Sequence, residues 1–143
     1  MAQQIWFIYA IGSAFFASLT AIFGKLGVQQ MNSNLATFIR TVIILVFTAA
    51  IITARSEWVR PIKLSTQGLV MLVLSALATG FSWLCYYRAL QLGPASKVAP
   101  IDKLSVALAV LLAVVFLGES LSRQALLGVG FIALGSVMVA MAR

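Results

Sequence analysis

Apolar residues run through this chain in five long blocks, at 5–28, 35–54, 68–92, 98–117 and 125–142, with short polar joints between them. Within each block they go all the way round a helix instead of forming one stripe, as in a helix set among lipid or other apolar helices. Each block is about 18–25 residues long. At 1.5 Å per residue that is enough to cross roughly 30 Å of hydrocarbon. The pattern predicts an all-α integral membrane protein, a five-helix transmembrane bundle forming one domain over residues 1–143. The joints are too short for a second domain. An odd count puts the termini on opposite faces of a bilayer, and five helices are few to pack a core and also enclose a path. The chain reads as half of an assembly.

Composition strengthens that reading. Hydrophobic residues make up 62% of the 143 and charged residues 9%, against roughly 45–50% and 25% in soluble domains. A soluble bundle of this length cannot cover five helices that are apolar on all sides. The lone cysteine, Cys85, and the absence of histidine exclude an internal disulfide and any multi-cysteine metal site, so neither metal nor cofactor is expected. Residues 1–4 lack the basic region of a signal peptide, and the block after them is too long for a signal h-region. It is expected to be retained as a helix.

The net charge of +7 would suggest nucleic acid on a soluble protein. Here the basic residues are dispersed, and no nucleic-acid partner is expected. Arg55, Arg60 and Lys63 cluster beside Trp58 in the loop between the second and third spans. That is the make-up of a cytoplasmic loop against anionic headgroups, with Pro61 halting the helix. With Arg123 and the terminal amine, this face outweighs the other, which has Lys97 and Arg143, so the N-terminus is expected inside. Adding Lys25, Arg40, Arg88 and Lys103, all within a few turns of the second face, nearly balances the two. Balanced faces allow insertion both ways up, one route to an antiparallel dimer.

Ionisable groups within spans cost roughly 2.5–3.5 kcal/mol each on insertion scales and usually face an interior or a wet cavity. Lys25 and Arg88 lie about one turn from helix ends, where long stems snorkel to headgroups. Arg40, Asp102 and Lys103 lie about 8–9 Å deep. Asp102 is the one acid at that level, within reach of Arg88 across residues 93–96. A set of cations with one acid suits an anionic or zwitterionic solute. Pro100 predicts a kink where these charges lie, and transporter sites are often built at such breaks. Trp83 and Tyr86 are candidate cavity walls, while Tyr87 is expected in the interfacial belt. Small residues at three- and four-residue steps (Ala14, Ala17, Ala21 and Gly24; Ser75 and Thr79; Ala76 and Gly80; Gly128 and Gly135) mark helix contacts. No serine–histidine pair, metal-ligand spacing or phosphate loop is present, so an enzyme is not expected.

The run from Tyr87 to Ser96, continued by Val98, Ala99, Pro100 and Ile101, resembles the EamA-type domain of the drug/metabolite transporter superfamily. So do residues 116–119, ending at Glu119, and the glycine-rich last helix. Residues 24–27 and Arg40 fit as well. The resemblance covers nearly the whole chain and implies a carrier of small metabolites in a bacterial inner membrane. Most members join two such five-helix domains as inverted repeats, so this chain resembles one repeat standing alone. It lacks the first-span glutamate of the four-helix multidrug branch. Together these readings lead to a secondary transporter subunit. It is expected to move a small polar or anionic solute as a homodimer, antiparallel or otherwise, or as a paralogous heterodimer. Arg40, Arg88, Asp102, Lys103, Lys25, Trp83 and Tyr86 are the candidate path. A non-transporting assembly subunit and a lipid-linked-sugar flippase subunit are the rival readings.

Overall fold

The structure, a computed structural model, describes residues 2–59 and 65–142. Arg60, Pro61, Lys63 and Arg143, used above for the loop and the orientation, lie outside them. Six helices follow in order: α1 (Ala2–Val28), α2 (Ser33–Ala54), α3 (Thr66–Leu92), α4 (Ala95–Asp102), α5 (Leu104–Leu117) and α6 (Arg123–Met141). Helices α4 and α5 are two parts of one span, Ala95–Leu117, so five helical stretches are long and apolar enough to cross a membrane. Large apolar side chains stand exposed along all of them, with Phe47 at 65% and Phe116 at 78%. Water would not tolerate such a surface, whereas lipid covers it at no cost.

The chain divides into two compact units, Gly24–Gln91 and Met1–Phe23 with Leu92–Arg143. In the first, Asn32 caps α2 by accepting from the Asn34 N–H at 2.8 Å, satisfying one of the donors a helix start leaves open. Buried Thr37 turns its hydroxyl onto the Ser33 carbonyl at 2.9 Å. At the other end of α2, Ser56 N–H donates to Thr53 O and Glu57 N–H to Ile52 O. These two bonds make a Schellman closure. It forces Ser56 to a left-handed φ of 54°, where glycine normally sits. The packed centre of this unit is small: Val28 and Leu90 are fully buried, and Gly24 lies against Leu90 and Tyr87. A Cβ at Gly24 would come within 3.2 Å of the Tyr87 hydroxyl and 3.4 Å of Leu90 Cδ1. Of the small residues read on the first span, Gly24 makes such a contact, while Ala14 and Ala17 stand exposed.

In the second unit, α6 packs along both α4 and α5. Ser122 caps α6 by accepting from the Ala125 N–H at 3.1 Å. The fourth span starts three residues before the expected 98. Pro94 takes the extended N-cap conformation, and its carbonyl collects the Lys97 and Val98 N–H groups. Polar Ser96 and Lys97 therefore belong to the first turn and not to a loop. The Pro100 break is present, displaced to Lys103. Pro100 has no N–H to donate, and Lys103 N–H is shared between Ala99 O at 3.3 Å and Pro100 O at 3.0 Å. The helix tightens there and restarts as α5. At its end Gly118 takes φ 68°, which closes α5.

Two substitutions test this packing by thermal unfolding in mild detergent. Ser56→Gly relieves the left-handed strain and is expected to raise stability by about 0.5–1 kcal/mol. Gly24→Val overpacks the α1–α3 contact and is expected to cost about 1–3 kcal/mol.

Candidate functional site

The polar residues of the Gly24–Gln91 unit gather where α1 ends, α2 begins and α3 ends. A helix leaves its last four carbonyls without intrahelical donors. In lipid these must find protein partners. Helices α1 and α3 supply one another. Lys25, from the last turn of α1, donates from Nζ to Leu90 O in the last turn of α3 at 2.6 Å. In return Gln91 of α3 donates from Nε2 to Val28 O at 3.3 Å and Met31 O at 3.1 Å. The Gln91 side-chain oxygen accepts from the Arg88 guanidinium at 2.7 Å. That bond turns the amide so that its nitrogen faces α1. Arg88 therefore orients Gln91 instead of only snorkelling, and Lys25 caps a neighbouring helix.

About two turns deeper lies a different arrangement. Arg40 of α2 sets its guanidinium carbon 4.1 Å from the centroid of the Trp83 ring and 5.4 Å from that of Tyr87. Trp83 and Tyr87 are four residues apart on α3 and so share one face. Both distances are within the range of a cation–π attraction, worth about 0.5–2 kcal/mol. Tyr87 is buried, only 5% exposed, so its expected place in the interfacial belt is corrected: it packs between Gly24 and Arg40. Tyr86 is half-buried, its ring edge-on to Tyr87 at 6.2 Å between centroids. Arg40 itself is half-buried and forms no ion pair or hydrogen bond among the described residues.

An open pocket of about 460 Å³ lies between the start of α2 and the end of α3, lined by Asn32, Ser33, Asn34, Leu84, Cys85 and Arg88. Its size is that of a small-molecule site, commonly about 300–1,000 Å³. The remaining candidates belong to the other unit. Asp102 and Lys103 meet each other at the α4–α5 break, Oδ2 to Nζ at 3.4 Å, with a third to a half of each side chain exposed. Among the described residues, no group of three metal-ligating side chains comes together.

Sequence reasoning missed Gln91 and the role of Tyr87. Helical spacing held a signal for both: Gln91 is three residues from Arg88, and Tyr87 four from Trp83. Gln91→Leu removes a donor to two carbonyls and an acceptor for Arg88, and is expected to cost about 1–3 kcal/mol of stability. If Arg88 acts through Gln91, Arg88→Ala and Gln91→Ala are non-additive, with a coupling of about 0.5–2 kcal/mol in a double-mutant cycle. Full additivity would separate the two residues.

Comparison with known proteins agrees with this architecture. Residues 4–141 match the model of the EamA-like transporter family. A relative from a Sinorhizobium species, named as an uncharacterised transporter in the cobO 3' region, is 50% identical over 138 residues, covering 96% of this chain and 98% of the relative. No solved structure matches the chain. Five membrane-span helices over a match of nearly full length leave one assignment: the chain belongs to the EamA-like transporter family and is a multi-pass membrane transporter.

Proposed function

We propose that the chain is a secondary transporter subunit that moves a small polar or anionic metabolite by alternating access, working as a dimer. The observation that carries the anionic preference is the disposition of charge. The chain has three acids. Glu57 meets Arg55 at 3.8 Å on the surface, Asp102 meets Lys103, and Glu119 stands exposed just past α5. Among the described residues, Arg40 is left holding a positive charge inside a span with no carboxylate paired to it. Such a charge is costly unless water or an anion reaches it. An anion passing that level removes the cost, and a cation raises it.

Support for the dimer comes from the five spans and from exposed apolar and glycine positions among the described residues. Gly128, Gly130 and Gly135 on α6 all have open space where a side chain would stand. A second copy inserted the other way up would complete an inverted pair, and a paralogue is the alternative partner. In this reading the protein sits in the plasma membrane with its N-terminus in the cytoplasm. The Pro100 break gives the fourth span a joint, with the Asp102–Lys103 pair beside it. Lys25 and Arg88 hold the polar end of α1 and α3 together at the mouth of the path, while Trp83 and Tyr86 wall it.

Proteoliposomes containing the purified protein test the proposal by counterflow of labelled small carboxylates, amino acids and amines. Anionic or zwitterionic solutes are expected to exchange, and Arg40→Ala is expected to reduce exchange by about 100-fold or more, the scale of losing a charged contact. Exchange of amines alone, or undiminished exchange in Arg40→Ala and Lys103→Ala, would reject the anionic reading. Reporters on both termini, each active on one side only, test the pairing. Two populations of orientation are expected for an antiparallel homodimer, and one fixed orientation would exclude it.

A further inference from the structure

The way Arg40 is held restricts the anion it can take. A guanidinium has two usable parts: a flat face that stacks on aromatic rings and an edge of N–H donors in a fixed fork. The Arg40 guanidinium carbon lies over the Trp83 ring, 4.1 Å from its centroid, and 5.4 Å from that of Tyr87, and at the shorter separation a guanidinium stacks by its face. Tyr87 is itself fixed, being buried against Gly24. The edge donates to no group among the described residues, and none of its nitrogens is both buried and unsatisfied. The donors are open, and a guanidinium stacked by its face points them along the ring beneath it. A lysine at this position would supply the charge without the plane.

We propose that the Arg40 edge is the docking point for a carboxylate of the transported solute, bound through both oxygens in the plane that Trp83 sets. This rests on the carrier reading above and narrows it from an anion to a carboxylate. Two physical arguments select that group. Its oxygens are coplanar and match the fork with two parallel hydrogen bonds. Its single negative charge also balances the one charge that Arg40 carries unpaired, whereas a divalent phosphate would leave an excess negative charge in a medium that penalises it. The rest of the solute is left free to vary, because nothing in the stack contacts it.

Binding can be read without transport. In a Trp6→Phe, Trp58→Phe background, Trp83 is the remaining tryptophan, and its emission reports on the guanidinium above it. The purified protein in neutral detergent is titrated with propanoate, with propanamide as the uncharged isostere. Methyl phosphate, a dianion above about pH 8, serves as the doubly charged comparison. Propanoate is expected to give a saturable change in emission and propanamide none. Methyl phosphate should bind at least about tenfold more weakly, and Arg40→Lys should weaken propanoate by about tenfold or more, since it keeps charge but loses the fork. An unchanged unfolding midpoint shows that this variant is folded, and Arg40→Met provides a second test of the same contact. The proposal is overturned if propanoate gives no saturable response, if methyl phosphate matches it, or if the response survives in both variants. A protein that binds propanoate in this way but exchanges nothing in proteoliposomes would lose the carrier reading and keep this site.

Discussion

Hydrocarbon offers no hydrogen bonds, and that constraint organises the rest of this molecule. Every donor and acceptor at membrane depth must find a partner within the protein. The side chains comply locally where they can: Thr20, Thr48, Thr53 and Thr79 each return a hydroxyl to the carbonyl four residues back. A helix end solves it locally where the following chain turns back, as at Ser56 and Glu57 after α2, and elsewhere the last carbonyls need a partner from another element. Here α1 and α3 exchange side chains across their ends, Lys25 to Leu90 and Gln91 to Val28 and Met31. The exchange fixes the α1–α3 pair and places Tyr87 against Gly24. With Tyr87 and Trp83 positioned, the ring face that receives Arg40 exists.

Against that background Arg40 is the exception with consequences. The other cations read in the spans are occupied, Lys25 by a backbone carbonyl, Arg88 by Gln91, and Lys103 by Asp102. Aromatic stacking offsets part of the cost of keeping a guanidinium in a span, yet it leaves the donors unused. A purely structural arginine would gain more from a carboxylate neighbour. A carrier gains from the opposite arrangement, since a resident acid would compete with the solute for the same fork. The Pro100 break adds a second feature, an interruption of the fourth span at a set place, where Lys103 N–H is shared between two carbonyls and the helix restarts as α5.

The spans themselves were legible in the sequence because length and all-round apolarity are one-dimensional properties. The helix starts were less so: α2 and α6 begin two residues before the expected 35 and 125, behind the caps Asn32 and Ser122. The start of the fourth span was not: Ser96 and Lys97 looked like loop, and only the extended conformation at Pro94 shows that they are the first turn. The charged candidates were legible as a group and illegible as individuals. Whether Lys25 snorkels or caps depends on a residue 65 positions away. Tyr87 and Gln91 depend in the same way on Gly24, Val28 and Met31, whose proximity is a product of the fold.

The central claim is that the polar level at the start of α2 and the end of α3 is a wet path and not a packed joint sealed from solvent. Cys85, the protein's one cysteine, lines the pocket there beside Arg88, so no substitution is needed to probe it. The decisive measurement is the rate at which a membrane-impermeant thiol reagent modifies Cys85 of the unaltered protein in sealed vesicles. A wet path predicts labelling that small carboxylates slow. Failure to label in intact vesicles, with full labelling after denaturation, would contradict it.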